Sequence, residues 1–184
     1  MKRIIIFLAL LSSTIAFAQN KANEDKQLTK FEQISSQTGR IVKFQDVKMP
    51  NIPLSYGGGL KTSIRLVMGD SDSFFYRIEK AESSTSLGHI AMIEYSDLVE
   101  INKALETLSS AVDDDVAANP DYLENKFRTE DGFEVGYYVS YAKATWFIKL
   151  ERYSGSTVFL KSKEDIISSF SAAQVKIEEL KTKR

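Results

Sequence analysis

The apolar and polar positions of this chain follow a pattern that occurs twice. Residues 59–80 (GLKTSIRLVMGDSDSFFYRIEK) and 132–152 (GFEVGYYVSYAKATWFIKLER) both open on glycine, alternate apolar with polar residues, and close on an aromatic-rich strand. In each copy a short apolar segment then leads into an amphipathic helical pattern. Because the period of about 70 residues exceeds that of most solenoid repeats, the pattern predicts a duplicated domain half rather than an open array.

Each half is predicted to form four antiparallel strands followed by one helix, which makes the protein an α+β fold of two similar halves. Alternating segments bounded by turn residues predict strands at residues 40–47, 61–68, 74–81, 89–95, 122–129, 133–141, 145–153 and 157–161. Pro50 and Pro53 are expected to exclude a central strand, because proline cannot donate a hydrogen bond to a neighbouring strand.

Apolar residues at steps of three and four predict one amphipathic helix in each half. The first helix is expected to begin at a Ser96 cap and to bury Leu98, Ile101, Leu105 and Leu108. Ser162, followed three residues later by Asp165, resembles a capping box at the start of the second helix. That helix is expected to bury Ile166, Phe170, Ala173, Ile177 and Leu180.

The chain is predicted to contain five segments: a signal peptide at 1–18, a polar leader at 19–39, the first half at 40–112, a linker at 113–121 and the second half at 122–184. The signal peptide prediction rests on the basic Lys2 and Arg3, the apolar run at 4–11, and a small-x-small cleavage site that ends at Ala18. We therefore expect a mature chain that begins near Gln19, has no membrane span after cleavage, and is periplasmic or secreted.

Charge and cysteine content exclude several functional classes. The chain has 24 basic and 25 acidic residues, and loss of Lys2 and Arg3 with the signal peptide changes its net charge from −1 to −3. A mildly acidic protein lacks the positive field that attracts nucleic acid or anionic membranes, so we expect no nucleic-acid partner. The absence of cysteine excludes disulfides, thiolate catalysis and cysteine zinc sites, and we expect no cofactor.

His89 is the single histidine of the chain, and a serine hydrolase of the Ser-His-Asp type would need it as the catalytic base. A serine hydrolase would need it beside a nucleophile such as Ser84 or Ser86, together with an acid from elsewhere. The chain lacks the G-x-S-x-G motif that exposes a nucleophilic serine on a strained turn. We therefore favour a non-enzymatic role over catalysis.

Asp113, Asp115 and Asp121 are candidate metal ligands. Consecutive acids after a helix oppose the helix dipole, which favours cations at that end, so a divalent ion could compensate them. Their spacing does not match an EF-hand loop, and neighbouring residues on a helix diverge by about 100°. A solvated linker is the favoured interpretation.

Alternation along the strands assigns residues to two faces. The predicted core face carries Phe74, Tyr76, Ile78, Trp146, Ile148 and Leu150 of the third strands, and Phe133, Val135, Tyr137, Val139 and Tyr141 of residues 133–141. The candidate binding face opposite to it carries Phe75, Arg77, Tyr138, Phe147 and Lys149. A sheet face with this many aromatic residues is more apolar than an ordinary solvent-exposed face. We therefore predict that it contacts a ligand, a protein or carbohydrate partner, the other half, or a second copy of the chain.

The order of four strands and a helix, repeated over residues 40–180, is similar to that of the Whirly and Pur-alpha families, which bind single-stranded nucleic acid. The resemblance is topological, and no motif of either family assigns a binding residue here. It implies single-stranded nucleic-acid binding as an alternative function, and a hydrolase without a recognisable motif is a further alternative. The residues themselves favour an exported, non-enzymatic binding or structural module.

Overall fold

The computed structural model describes residues 27–69, 71–81, 88–152, 155 and 157–183. The predicted signal peptide, together with Ser84 and Ser86, lies outside these residues. In chain order the described elements are α1 (Lys30–Ser35), β1 (Lys43–Pro53), β2 (Gly59–Met68), β3 (Ser73–Lys80), β4 (His89–Glu94), α2 (Tyr95–Ala117), β5 (Leu123–Arg128), β6 (Glu134–Ser140), β7 (Lys143–Lys149), β8 (Thr157–Phe159) and α3 (Lys163–Thr182).

The strands form two antiparallel sheets of four strands each, in the orders β1-β2-β3-β4 and β5-β6-β7-β8. Every strand pairs with the strand next to it in sequence, as expected of a meander of hairpins. α2 follows the first sheet and α3 follows the second. The predicted α+β fold of two similar halves is confirmed.

One hydrophobic core serves both halves. It includes all six residues predicted on the core face of the third strands, namely Phe74, Tyr76, Ile78, Trp146, Ile148 and Leu150. Phe170 of α3 connects the halves, because its ring lies 5.2 Å from that of Tyr76 in β3 and 5.9 Å from that of Phe133 beside β6. The Tyr76 hydroxyl is satisfied within this core by Ser169 Oγ at 2.7 Å. The two sheets therefore depend on the same buried side chains.

Each helix packs on strands of the other half. α2 contacts β5, β6 and β7 in addition to β3 and β4, and α3 contacts β1 and β2 of the first sheet. The helices also contact each other, where the Asn102 amide donates to Gln174 Oε1 at 2.7 Å and to the Phe170 carbonyl at 3.3 Å. This exchange of contacts determines how the two halves sit against each other.

β1 is longer than predicted and includes both prolines. It lies at the edge of its sheet, where N–H groups on one side have no strand to bond, so Pro50 and Pro53 are tolerated. The pairing register shifts between Met49 and Ile52, and Thr62 donates its hydroxyl hydrogen to the Pro50 carbonyl at 2.8 Å. The predicted end of this strand at residue 47 was wrong, because an edge strand can continue through prolines that a central strand would exclude.

α2 differs from the prediction at both ends. Its N-cap is Glu94, whose carboxylate accepts the Ser96 N–H at 2.7 Å, so Ser96 is not the cap. The helix includes residues 113–117, which were predicted to belong to the linker. The cap predicted for α3 is confirmed, because the Ser162 hydroxyl accepts the Asp165 N–H at 3.2 Å.

Tyr141 does not belong to the core, contrary to the prediction. It is 97% exposed and lies in the turn between β6 and β7 with φ 51°. The next residue, Ala142, is also in the left-handed region, with φ 54°. Because β6 ends at Ser140, the alternation that places Val139 in the core does not extend to the turn.

We expect Trp146→Ala to lower the free energy of unfolding by about 3–5 kcal/mol, the usual loss for a buried aromatic side chain. Trp146 is 6% exposed, and its ring lies 4.9 Å from that of Tyr137. Tyr141→Ala is the matched control in the exposed turn and should change the same quantity by at most about 0.5 kcal/mol. Urea unfolding measures both, and equal losses would contradict the different burial of the two side chains.

Candidate functional site

The five residues of the predicted binding face lie on the outer faces of two different sheets. Phe75 and Arg77 belong to β3, Tyr138 belongs to β6, and Phe147 and Lys149 belong to β7. They alternate with core residues along their strands, so their side chains face away from the shared core. The structure therefore distributes them over two surfaces.

The short helix α1 covers part of the outer face of the first sheet. The Phe31 ring lies 5.4 Å from the Phe75 ring, edge to face, and 5.8 Å from the Phe44 ring. Phe75 is fully buried. α1 lies within residues 19–39, which were predicted to be a polar leader, so the helix that contacts Phe75 was not predicted.

The outer face of the second sheet carries a row of aromatic side chains. Tyr122, which is 61% exposed, stacks on Tyr138 with 6.1 Å between ring centroids. Tyr138 meets Phe159 edge-on at 6.3 Å. Phe147 is largely buried, and its cross-strand neighbours are Gly136 and Phe159. We call Tyr122, Tyr138, Phe147 and Phe159 the outer aromatic row.

Charged side chains beside the outer aromatic row bind one another. The buried Glu134 carboxylate lies 3.0 Å from Lys126 Nζ and 3.6 Å from Arg128 Nε. Lys149 lies directly opposite Glu134 on β7. Because Glu134 pairs with Lys126 and Arg128, and Glu124 lies 2.7 Å from Lys126 Nζ, these basic side chains do not form the uncompensated basic strip that binds phosphate backbones.

The candidate metal ligands do not converge on one point. Asp113 and Asp121 are exposed, whereas Asp115 accepts the Tyr137 hydroxyl hydrogen at 2.6 Å. Asn125 donates to the same Tyr137 oxygen at 3.2 Å. Within the described residues, no three His, Cys, Asp or Glu side chains form a group that could hold a metal ion. The hydrogen bond of Asp115 instead connects the end of α2 to β6.

This hydrogen bond predicts a loss of stability at high pH. Burial, together with the Asp115 carboxylate, raises the pKa of Tyr137 from 10.0 to about 12. The unfolded chain therefore releases this proton at lower pH than the folded chain does. The stabilisation is complete below about pH 10 and disappears between about pH 10 and pH 12.

Tyr137→Phe isolates that contribution. The variant should be less stable than the wild type by about 1.5–3 kcal/mol near neutral pH, because it loses a hydrogen bond to a charged acceptor. The difference should shrink between about pH 10 and pH 12, where the wild-type tyrosine ionises. Chemical unfolding of both proteins across this range measures it, and a constant difference would contradict the assignment.

A cleft of about 630 Å³ lies beside α1, between the two halves. We call it the interhalf cleft. It is lined by Arg65, Arg77, Ile90 and Met92 of the first sheet, by Phe31 and Glu32 of α1, by Asp97 of α2, and by Asp131, Phe133, Leu150, Glu151 and Arg152 of the second half. Its volume is typical of pockets that bind small molecules.

Lys30 of α1 binds an acid from each half at this cleft. Its ammonium lies 2.5 Å from the buried Asp97 of α2, and its backbone N–H donates to Asp131 at 3.1 Å. Burial lowers the pKa of Lys30, but the hydrogen bond and charge of Asp97 outweigh burial and raise it. Burial also raises the pKa of Asp131, and the nearby Asp97 adds to the effect. α1 is therefore attached to both halves.

A capping box begins α1. The Glu32 carboxylate accepts the Thr29 N–H at 2.8 Å, and the Thr29 hydroxyl accepts the Glu32 N–H at 3.1 Å. The T-x-x-E spacing, with Phe31 and Ile34 beside it, is the sequence signal that could have predicted this helix. The position of Lys30 between two acids depends on tertiary contacts and has no such signal.

The two arginines from the first sheet differ in their hydrogen bonding. Arg65 binds Asp46 in a two-pronged arrangement at 2.8 and 2.7 Å, which holds the pKa of that carboxyl below its usual value. Arg77 Nη2 lies 2.7 Å from Glu79. Arg77 Nε, however, is buried without a hydrogen-bond partner in the described part of the chain. Arg77 thus brings an unsatisfied donor to the wall of the cleft.

His89 connects the edge of the first sheet to the second half. Its Nδ1 lies 3.2 Å from Glu151 Oε2, and Glu151 Oε1 accepts the Ile90 N–H at 3.2 Å. A hydrolase would also need a nucleophile, and the candidates Ser84 and Ser86 lie outside the described residues. The bonds that Glu151 makes to β4 indicate a structural role.

Comparisons with known proteins assign no family to the chain. No protein-family model matches it, and neither a curated protein nor a solved structure is significantly similar to it. The likeness to the Whirly and Pur-alpha topology therefore stays a prediction. Across the described ranges, no helix is long and apolar enough to cross a membrane.

Proposed function

We propose that this protein is an exported, non-enzymatic binding module whose ligand site is the interhalf cleft. The observation that carries the proposal is Arg77 Nε, a buried donor without a partner among the described residues, on a side chain that lines this cleft. Buried polar groups are normally hydrogen-bonded, so an unsatisfied donor beside a cavity favours a ligand that supplies the acceptor. The cleft also combines a mainly apolar lining surface with polar and charged side chains that can orient a ligand.

The hydrogen bonding of the cleft supports binding better than catalysis. Asp97 and Asp131 hold Lys30, and Glu151 holds the edge of β4. A general acid or base has to exchange a proton with the substrate, whereas these carboxylates are engaged in contacts that position α1 and β4. We therefore assign them to the framework of the site.

Blocking the cleft tests the proposal. Ile90 lines it and is 39% exposed, so Ile90→Trp should fill the cleft while changing stability by at most about 0.5 kcal/mol. Val175→Trp, at an exposed position of α3, is the matched control. NMR titration with small carboxylates, amines, sugars and nucleosides should shift cleft resonances in the wild type and the control, but not in Ile90→Trp. Ligand binding that survives in Ile90→Trp would contradict the proposal.

Export is the second part of the proposal and is supported by the tripartite pattern of residues 1–18. We expect the periplasmic or secreted protein to begin at Gln19, because signal peptidase cleaves after a small-x-small sequence such as the one ending at Ala18. Intact mass spectrometry of the exported protein measures the start of the chain. A protein that retains Met1 would contradict export by this signal.

The sequence also predicted a protein or carbohydrate partner, or a second copy of the chain, on the outward aromatic surface. In the first sheet α1 occupies that surface. We therefore place such a macromolecular contact at the outer aromatic row, which exposes Tyr122 beside Tyr138. Aromatic rings of this kind combine large contact area with a polar group, as interfaces commonly require.

A further inference from the structure

A side chain that lines the interhalf cleft carries a hydrogen-bond donor that has no acceptor in the part of the chain that the structure describes. Within the described residues, two buried side-chain polar atoms lack a hydrogen-bond partner, Arg77 Nε and Ser63 Oγ. Ser63 and Arg77 are directly opposite each other on β2 and β3, so both groups lie on the same outer face of the sheet. The Arg77 side chain also lines the cleft. The wall of the cleft therefore includes a guanidinium group whose Nε has no acceptor among the described residues, whereas Ser63 lies outside the cleft lining.

Each of four carboxylates of the cleft already accepts at least one hydrogen bond. Asp97 accepts from the Lys30 ammonium, and Asp131 accepts from the Lys30 backbone N–H. Glu32 accepts the N–H that caps α1, and Glu151 accepts a backbone N–H of β4. Arg77 Nε, in contrast, is a donor that has no acceptor within the described residues. The hydrogen bonding therefore favours a ligand that accepts rather than donates.

Arg77 favours an ionised acceptor over a neutral one, and the carboxylates of the cleft limit the negative charge that this acceptor can carry. Arginine stays protonated, and its hydrogen bonds to an ionised carboxylate are shorter and stronger than neutral ones. Four carboxylates and three guanidinium groups line the cleft. A dianionic phosphate would meet greater repulsion from those carboxylates than a monoanion would. A carboxylate therefore fits better than a phosphate.

The remaining walls indicate what the carboxylate is attached to. Apolar contacts come from Phe31, Ile90, Met92, Phe133 and Leu150. Transfer of an apolar group from water to such walls is favourable in proportion to the area buried. Gln27, Thr29 and Thr129 also line the cleft, but most of its lining surface is apolar, so an apolar body fits it better than a sugar acid does.

We infer that the interhalf cleft binds a small monocarboxylate with an apolar body. The carboxylate accepts from Arg77 Nε, and the apolar body contacts walls such as Phe31 and Met92. This inference rests on the proposed function, because it names the ligand class of the same cleft. It assigns Arg77 as the residue that recognises the anion.

Calorimetric titration of the purified protein with octanoate tests this inference. Octyl phosphate and octylammonium are the comparison probes, because they keep the chain and change the head group. We expect octanoate to bind most tightly, and Arg77→Met to weaken it at least about tenfold, as expected for loss of a charge-assisted hydrogen bond. Arg128→Met is the matched control, since Arg128 is exposed on the outer face of the second sheet and should leave octanoate affinity unchanged.

The outcomes separate this inference from the proposed function. Circular dichroism checks the fold of Arg77→Met, and Arg77→Lys, which keeps the charge but loses the Nε donor, should also bind octanoate more weakly. Octanoate affinity unchanged in both variants, or tighter binding of octyl phosphate or octylammonium, overturns the inference. If no octyl probe binds while other compounds shift cleft resonances, the ligand class is wrong and the cleft site stands. If no compound shifts cleft resonances, both are wrong.

Discussion

The architecture depends on the contact of Phe170 with both halves of the molecule. Its ring contacts Tyr76 of the first sheet and Phe133 of the second half. A four-stranded sheet has an apolar face that must be covered, and small domains bury too little surface to be stable by themselves. Here α3 packs on β1 and β2 while α2 packs on the second sheet, so each half completes the core of the other.

That arrangement creates two different junctions between the sheets. At one, Leu54 and Leu160 form a backbone bridge, and the Ser55 N–H donates to the Phe159 carbonyl at 3.0 Å. At the other, the Glu151 side chain reaches the edge of β4. Backbone pairing brings strands to within about 5 Å of each other, whereas a side-chain bridge holds them farther apart. The interhalf cleft lies at this second junction, with α1 beside it.

The outer faces of the sheets follow from the same arrangement. Because the inner faces of the sheets form the shared core, the aromatic side chains on the outer faces need other groups to shield them from water. In the first sheet Phe31 supplies it for Phe75. In the second sheet the cross-strand contacts of Phe147 and Tyr138 with their neighbours supply part of it. The outer face of the first sheet therefore contributes to the interhalf cleft, and the outer face of the second sheet carries the outer aromatic row.

The sequence by itself determined the elements, because periodicity and turn chemistry are local properties. It placed two strand meanders and two helices, and the parity of Trp146 and Ile148 identified the face that packs in the core. It failed for Tyr141, where a positive φ ends the strand, and for β1, where edge position makes proline acceptable. Only the tertiary structure brought Arg77, Asp97 and Asp131 to one cleft, because side chains far apart in sequence meet through packing that no local pattern records.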